Sequence, residues 1–484
     1  MTSKRPLRRR RFRIFRTLGL ALLVMIVVGT ILAFTPAPSL TATVSPPDRP
    51  AGDSQLPWLR TEQRQIVDAM GRRVLLRGFN DDALVSYPND PPAPLDEKDA
   101  VLMERAGFTV VRLGIDWAQL EPVRGQIYQP YLDRVADAVR LFNQHGMYVV
   151  LEMHFRLGWS PSNGYSGAPG WAHIDGVPNW NPLPRYTWSP SLSPAAWVAN
   201  TYFWTSSDWQ KDFFFTWKAV ASRFRAVSGV AGYDLFNEPL PLPIPPRLFE
   251  KYWMWPLYQH AIEAVGSVDG NHLFFVEGIL LFTLDTLMVP LHAPNLVYGN
   301  HIYEGSLVPP LWNGDPGPVQ HTFAVRLKEA AVLNAPLWVG EMGHDLTQSG
   351  AMSYVDTLLN DSDDHQLGWA WWQWRESKYW GVRDRAGSYV NMDALHHLAR
   401  PFLAAAPGGV LAGRGDGVAG RLDLYVDAGH GDFPVLVSWP ELTLGTPALS
   451  GSCTAGSSWD QAGARLTISL RPGEGCDLHL MRAG

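Results

Sequence analysis

The 484-residue chain predicts an α/β fold: a (β/α)8 TIM barrel followed by a small C-terminal all-β, sandwich-like module, with an N-terminal membrane segment. Between residues 66 and 400, short apolar runs alternate with polar loops and amphipathic helical patterns until eight runs have passed. After Pro401 the texture changes to Gly-rich sequence with short alternating strands. Ahead of both, an uncharged stretch of 17 residues, Leu18 to Phe34, follows a basic leader.

Residues 1–17 form a basic tail, with eight Lys or Arg and no acid in the first 16 positions. The whole chain carries −6, which leaves about −14 for the remainder and makes nucleic acid an unsuitable partner for the folded part. Residues 18–34 lie in length between a signal-peptide core and a full spanning helix, so they read as a transmembrane anchor or a cleaved signal peptide. The basic flank puts the N-terminus in the cytoplasm, and the rest faces an extracytoplasmic space, membrane-anchored or, after cleavage, secreted. Residues 35–57, rich in Pro, Thr, Ser and Ala, read as a linker, so a chain beginning near Ser54 is expected to be soluble and active. The only cysteines, Cys453 and Cys476, lie near the C-terminus, where an oxidising compartment would let them pair. Their absence from the central region excludes a cysteine nucleophile or a zinc-cysteine site there.

The barrel is expected over residues 58–405. "QIVDAMGRRVLL" reads as a small hairpin leading into the first strand. The strands follow as "VLLRGFN" from Val74, "TVVRLGI" from Thr109, "YVVLEMHF" from Tyr148, "AGYDLFN" from Ala231, "HLFFVEG" from His272, "LVYGNHIY" from Leu296, "LWVGEMG" from Leu337 and "LGWAWWQW" from Leu367. Helical patterns such as "PYLDRVADAVRLFNQHGM" between them demand parallel strands with crossover helices. In the eighth run, alternation puts Gly368, Ala370, Trp372 and Trp374 on the inner face, and Trp369 and Trp371 against the helices. Slippage by one residue would exchange Trp372 for Trp371 at the rim. Residues 406–484 form the β module, with "RLDLYVDAG", "FPVLVSWP", "GARLTISLRP" and "CDLHLMRAG" as strands; packing against the barrel is its expected role.

In such barrels the reactive groups sit at the C-terminal ends of the strands. Here those ends carry Arg112 on strand two, His154 on strand three, Asn237 and Glu238 on strand four, His301 and Tyr303 on strand six, Glu341 on strand seven and Trp372 on strand eight. His154 and His301 lack a clustered third ligand and read as hydrogen-bonding groups, so neither a metal nor a cofactor is expected. The loop at 156–207 carries Trp159, Trp171, Trp180, Trp188, Trp197 and Trp204, and reads as a lid or binding platform.

"VVRLG", "EMHF", "DLFNEP", "HIY", "VGEMG" and "WAWWQW", in that order, resemble the retaining glycoside hydrolases of clan A, and within it the cellulase-like family five. The resemblance covers residues 60 to 405. It implies β-glycoside hydrolysis by double displacement, with Glu238 as acid/base and Glu341 as nucleophile. Arg112 and Tyr303 would hold Glu341 ionised, Asn237 would bind the sugar 2-hydroxyl, and Trp372 would lie under the ring. "YDLFNEPLP", "VDGNHLFFVEG" and "LARPFLAAAPGG" ahead of a β module are similar to the endoglycoceramidases and related glycolipid glycosidases, which implies a carbohydrate or glycolipid substrate. Where those enzymes carry Gln-Asp after the strand-three histidine, this chain carries Phe155-Arg156. A cellulase- or mannanase-like hydrolase and a non-catalytic carbohydrate-binding barrel are the other readings.

Overall fold

The eight apolar runs become the eight parallel strands of one sheet: Arg77–Asp81, Val110–Ile115, Tyr148–Met153, Val230–Asp234, Leu273–Val276, Leu296–Tyr298, Trp338–Met342 and Gly368–Trp371, here strands one to eight. The computed structural model describes residues 39–49, 56–85, 95–155, 167–180, 193–241, 244–279, 285–307, 310–376 and 379–483. Strand eight pairs with strand one, and parallel bridges Tyr298–Leu337 and Ile302–Met342 close the ring between strands six and seven.

The strands are apolar on both faces because both are covered. Val110, Val150, Leu273, Phe275, Trp338 and Ala370 point inward and fill the lower barrel, while Val111, Val149, Phe274, Val339 and Trp369 join the core under the helices. Gly368 is small by necessity, since a Cβ there would lie 2.5 Å from the Leu76 carbonyl oxygen and 2.6 Å from Trp338 Cδ1. Trp369 and Trp371 face outward as expected. Trp374 does not share the inner face: it packs edge-on against Phe79 at 4.9 Å and donates its Nε1 hydrogen to Asp99 Oδ1 at 2.8 Å. Strand eight ends at Trp371, so strict alternation no longer governs residue 374.

Helix Gln129–Gln144 shows how the crossovers form. Pro130 opens its first turn, and Tyr131, Leu132, Val135, Ala138, Val139 and Phe142 make one buried stripe. Inside the long connection after strand three, helix Pro194–Thr205 starts at Ser193, whose hydroxyl accepts from the Ala196 N–H at 3.1 Å. Of the tryptophans in that connection, Trp171 packs on Trp117 and Trp204 is buried, whereas Trp180 and Trp197 are exposed; Trp159 and Trp188 lie outside the described residues.

Part of the expected linker is a strap on the barrel. Leu40–Thr41 pairs in parallel with Leu291–His292, the one strand among the described residues between strands five and six. Ala42 is buried, the Ser45 N–H donates to the Gly266 carbonyl at 2.8 Å, and Asn271 Oδ1 accepts from the N–H groups of Asp48 (2.8 Å) and Arg49 (3.0 Å). Composition gave no sign of this, because two paired residues and one distant asparagine leave no periodic pattern. The expected basic tail at 1–17 and membrane segment at 18–34 lie outside the described residues, and no described helix is long and apolar enough to cross a membrane.

The C-terminal region is antiparallel β apart from the four-residue helix Glu441–Leu444. One sheet orders Leu59–Glu62, Gln65–Asp68, Arg73–Val74, Phe402–Ala406, Val435–Ser438, Arg465–Leu470 and Thr454–Asp460; the other orders Val410–Ala412, Arg421–Val426, Cys476–Arg482 and Pro447–Ser450. Leu422, Leu424, Val437, Ile468, Leu478 and Leu480 form the core between them. Two features cut across the boundary expected at 405: the hairpin before strand one belongs to this sheet, and strand Phe402–Ala406 straddles it. Leu59, Ile66 and Ala405 thereby close the bottom of the barrel interior. Cys453 and Cys476 form a disulfide with Cα atoms 5.7 Å apart.

Candidate active site

Two residues beyond the apolar plug, the inward positions turn charged. Arg112 is the centre, fully buried, two residues after inward-facing Val110. Its Nε donates to Asp234 Oδ2 (2.9 Å), Nη1 to Glu341 Oε1 (2.7 Å) and Asn80 Oδ1 (3.0 Å), and Nη2 to Asn237 Oδ1 (2.8 Å) and Glu277 Oε1 (2.9 Å). Glu152 Oε2 lies 3.7 Å from Nη1. Such a cluster is stable only because the planar guanidinium meets each acceptor along a different N–H.

Glu341 receives a second donor, the Tyr303 hydroxyl, at 2.9 Å from Oε2. Glu238 stands opposite in a different environment. Strand four ends at Asp234, and Glu238 takes a left-handed φ of 49°, which turns its side chain into the pocket that Asn237 also reaches. Burial pushes the Glu238 carboxyl above the usual range, and the charges of Glu341 and Glu277 add to that, against a hydrogen bond with His301. His301 Nδ1 lies 3.0 Å from Glu238 Oε1 and 3.6 Å from Glu341 Oε2. Burial opposes its charged form, but Glu277 and Glu341 outweigh that and raise its pKa well above the ordinary value.

One oxygen of Glu238, one oxygen of Glu341 and a nitrogen of His301 lie within 4.8 Å of one another. Among the described residues this is the one trio of acidic and histidine groups so close, with His301 Nδ1 facing both carboxylates. That separation suits direct attack on a sugar carbon and leaves no room for the intervening water that inversion requires. His154 and Trp372 form the other wall: their rings stack at 5.6 Å and 13°, and Trp372 is half-buried while Trp371 is wholly buried in the outer core. Trp372 is therefore the rim tryptophan. All eight expected side chains converge here.

The chain from residue 67 to 378 matches the family model Cellulase (glycosyl hydrolase family 5). The chain belongs to glycosyl hydrolase family 5. It is a retaining glycosidase in its family and in the spacing of its carboxylates. It is 35% identical over 192 residues to endoglycoceramidase I of Rhodococcus hoagii, an alignment spanning 38% of this chain and 37% of that enzyme. It is 24% identical over 414 residues to the endoglycoceramidase of Cyanea nozakii, with 75% and 80% of the two chains covered. The structure of endo-glycoceramidase II from Rhodococcus sp. superposes with a TM-score of 0.75 at 26% identity, covering 86% of this chain and 99% of that one. That enzyme has been characterised as a lactosyl-enzyme intermediate and as a ganglioside GM3 complex.

Four polar groups of this family 5 site escaped the strand-end reading: Asn80, Glu152, Asp234 and Glu277. Period two supplies the missing signal, since Glu152 follows inward Val150 and Glu277 follows inward Leu273 and Phe275. Burial works against the Glu152 charge, but Arg112 and His154 outweigh it and lower its pKa; Asp234 is pushed well up by burial and by Glu277. Phe155, which departs from the endoglycoceramidase pattern, is a core residue stacked on Phe236 at 4.1 Å, and Arg156 lies outside the described residues.

Proposed function

We propose that Glu341 is the nucleophile and Glu238 the acid/base of a double displacement on a β-linked glycolipid or a similar amphiphilic glycoside. The observation that carries the roles is the unequal treatment of two carboxylates within reach of one sugar carbon. Glu341 is gripped by Arg112 and Tyr303, whereas the Glu238 carboxyl is pushed above its ordinary range, chiefly by burial. Glu341 attacks the anomeric carbon as the bond to the aglycone oxygen breaks, and Glu238 gives that oxygen its proton. Water then attacks the same carbon, returns a proton to Glu238 and releases Glu341, so the configuration is retained. Asn237, His154 and Trp372 line the sugar position, with Asn237 placed for the 2-hydroxyl.

The substrate class rests on the endoglycoceramidase relatives and on the loops around the mouth. Tyr252 on the connection after strand four, and Leu307 and Leu311 after strand six, expose large apolar side chains, a wall suited to an alkyl chain. Exposed Trp180 and Trp197 favour the second reading, a platform for a longer sugar chain. Two β-lactosides distinguish them below micelle formation, one with a long alkyl aglycone and one extended by a further sugar. A higher kcat/KM with the alkyl chain supports the glycolipid reading; a gain with the sugar alone replaces it by an oligosaccharide or polysaccharide hydrolase.

Residues 18–34 are proposed to hold the enzyme at a membrane with its catalytic domain outside the cytoplasm. Cell fractionation of the full chain against one starting at residue 39 tests this: the first should pellet with membranes and the second should not.

A further inference from the structure

Double displacement as proposed leaves three buried carboxylates of the site, Glu152, Asp234 and Glu277, without a part, and of these Glu277 is the one hydrogen-bonded to Glu238. Glu277 follows strand five, is 1% exposed, and lies beneath Glu238. Its Oε2 accepts from the Glu238 backbone N–H at 2.8 Å. Its Oε1 accepts from Arg112 Nη2 at 2.9 Å and lies 3.4 Å from His301 Nε2. Its own N–H donates to the Tyr258 hydroxyl at 3.1 Å, which ties the residue to helix Trp255–Gly266.

We propose that Glu277 is a positioning residue for acid catalysis, fixing both the backbone and the imidazole partner of Glu238. The inference rests on the acid/base reading of Glu238. Two physical needs meet in this one side chain. The left-handed backbone at Glu238 aims an N–H into the barrel interior, where an unmatched donor is costly; the Glu277 carboxylate supplies the acceptor. His301 must also turn Nδ1 toward Glu238, and an anionic oxygen on its Nε2 side favours that ring orientation. The two hydrogen bonds that hold the nucleophile draw on neither contact. Glu341 is held by Arg112 Nη1 and Tyr303, and Arg112 keeps Asp234, Asn80 and Asn237 when Glu277 is changed.

Glu277→Gln tests this with little change of shape. An amide offers one acceptor oxygen where the carboxylate uses two, so either the Glu238 N–H or Arg112 loses its partner. The measurement is kcat/KM for an alkyl β-lactoside, whose departing oxygen needs a proton, and for the 2,4-dinitrophenyl β-lactoside, whose departing oxygen does not. Expected is a loss of roughly 10²-fold on the alkyl substrate and less than about threefold on the dinitrophenyl one. The ratio of the two is independent of how much variant is folded. A ratio that moves less than about fivefold from wild type, whether both activities fall together or neither falls, assigns Glu277 a structural role and overturns the proposal. Glu238→Gln on the same two glycosides checks the acid/base reading separately: it should depress kcat/KM on the alkyl substrate far more than on the dinitrophenyl one, and a variant that leaves their ratio unchanged removes that reading and this inference with it.

Discussion

Below Arg112 the barrel interior is built from Val110, Val150, Leu273, Phe275 and Trp338; two residues further along the same strands it is built from Arg112, Glu152 and Glu277. The side-chain period is the same and the chemistry is opposite. The lower half is closed from beneath by Leu59, Ile66 and Ala405 of the β module, so the charged half rests on a dry floor. Hydrogen bonds and ion pairs in such surroundings are stronger and hold their geometry, which is what a site that must stabilise developing charge requires. The floor would be expected to govern stability and the charged layer turnover.

The hardest test of that division is Glu341→Gln. Turnover should fall on the order of 10⁴-fold or more with an unchanged melting profile, and azide should rescue Glu341→Gly by forming the α-glycosyl azide. Near-normal activity would remove the charged layer from the chemistry. Next, Glu238→Gln should slow formation and breakdown of the glycosyl-enzyme by roughly 10²- to 10⁴-fold, read by single-turnover kinetics. From the opposite side, Trp338→Ala should cost about 3–5 kcal/mol of stability by denaturant titration while kcat per folded molecule stays within about twofold. A collapse of kcat there would mean that floor and site are not separable.

A pH experiment sharpens the same contrast. Asp81, at the end of strand one, is raised to about 7, chiefly by burial. Its folded value lies above its unfolded one, so the native state holds a proton that the unfolded chain has lost. Stability therefore falls as pH rises from about 4 to about 7, and Asp81→Asn should flatten that part of the melting-temperature curve. The smallest effect is expected from starting the chain at Ser54: loss of the strap should cost about 1–2 kcal/mol, with kcat unchanged.

How much of this the sequence disclosed depended on how each feature is written in it. The eight strands and the eight converging side chains were legible because apolar runs, turns and strand ends repeat in register. Glu277 was equally available, standing after "FFV" inside the stretch "VDGNHLFFVEG", but that stretch was read for its resemblance and not for the role of its glutamate. Residues 39–49 were not legible, because their order comes from Asn271 and the Leu291 edge more than 200 positions away. Trp374 was misplaced because alternation has no force once the strand has ended.

The strap alters how far the catalyst can roam. Thr41 is held by Gln259 of helix Trp255–Gly266 and Ser45 by the end of that helix, so the chain climbs toward the barrel mouth as it is followed back to Leu40. With residues 18–34 in a bilayer, as proposed, only six steps separate Phe34 from the pinned Leu40, a reach of at most ~20 Å against ~80 Å for a free linker of 23 residues. A fourfold shorter radius confines the enzyme to roughly a sixtieth of the volume. Substrate in the same leaflet would then meet the mouth at a high local concentration, and substrate free in the surroundings would gain nothing.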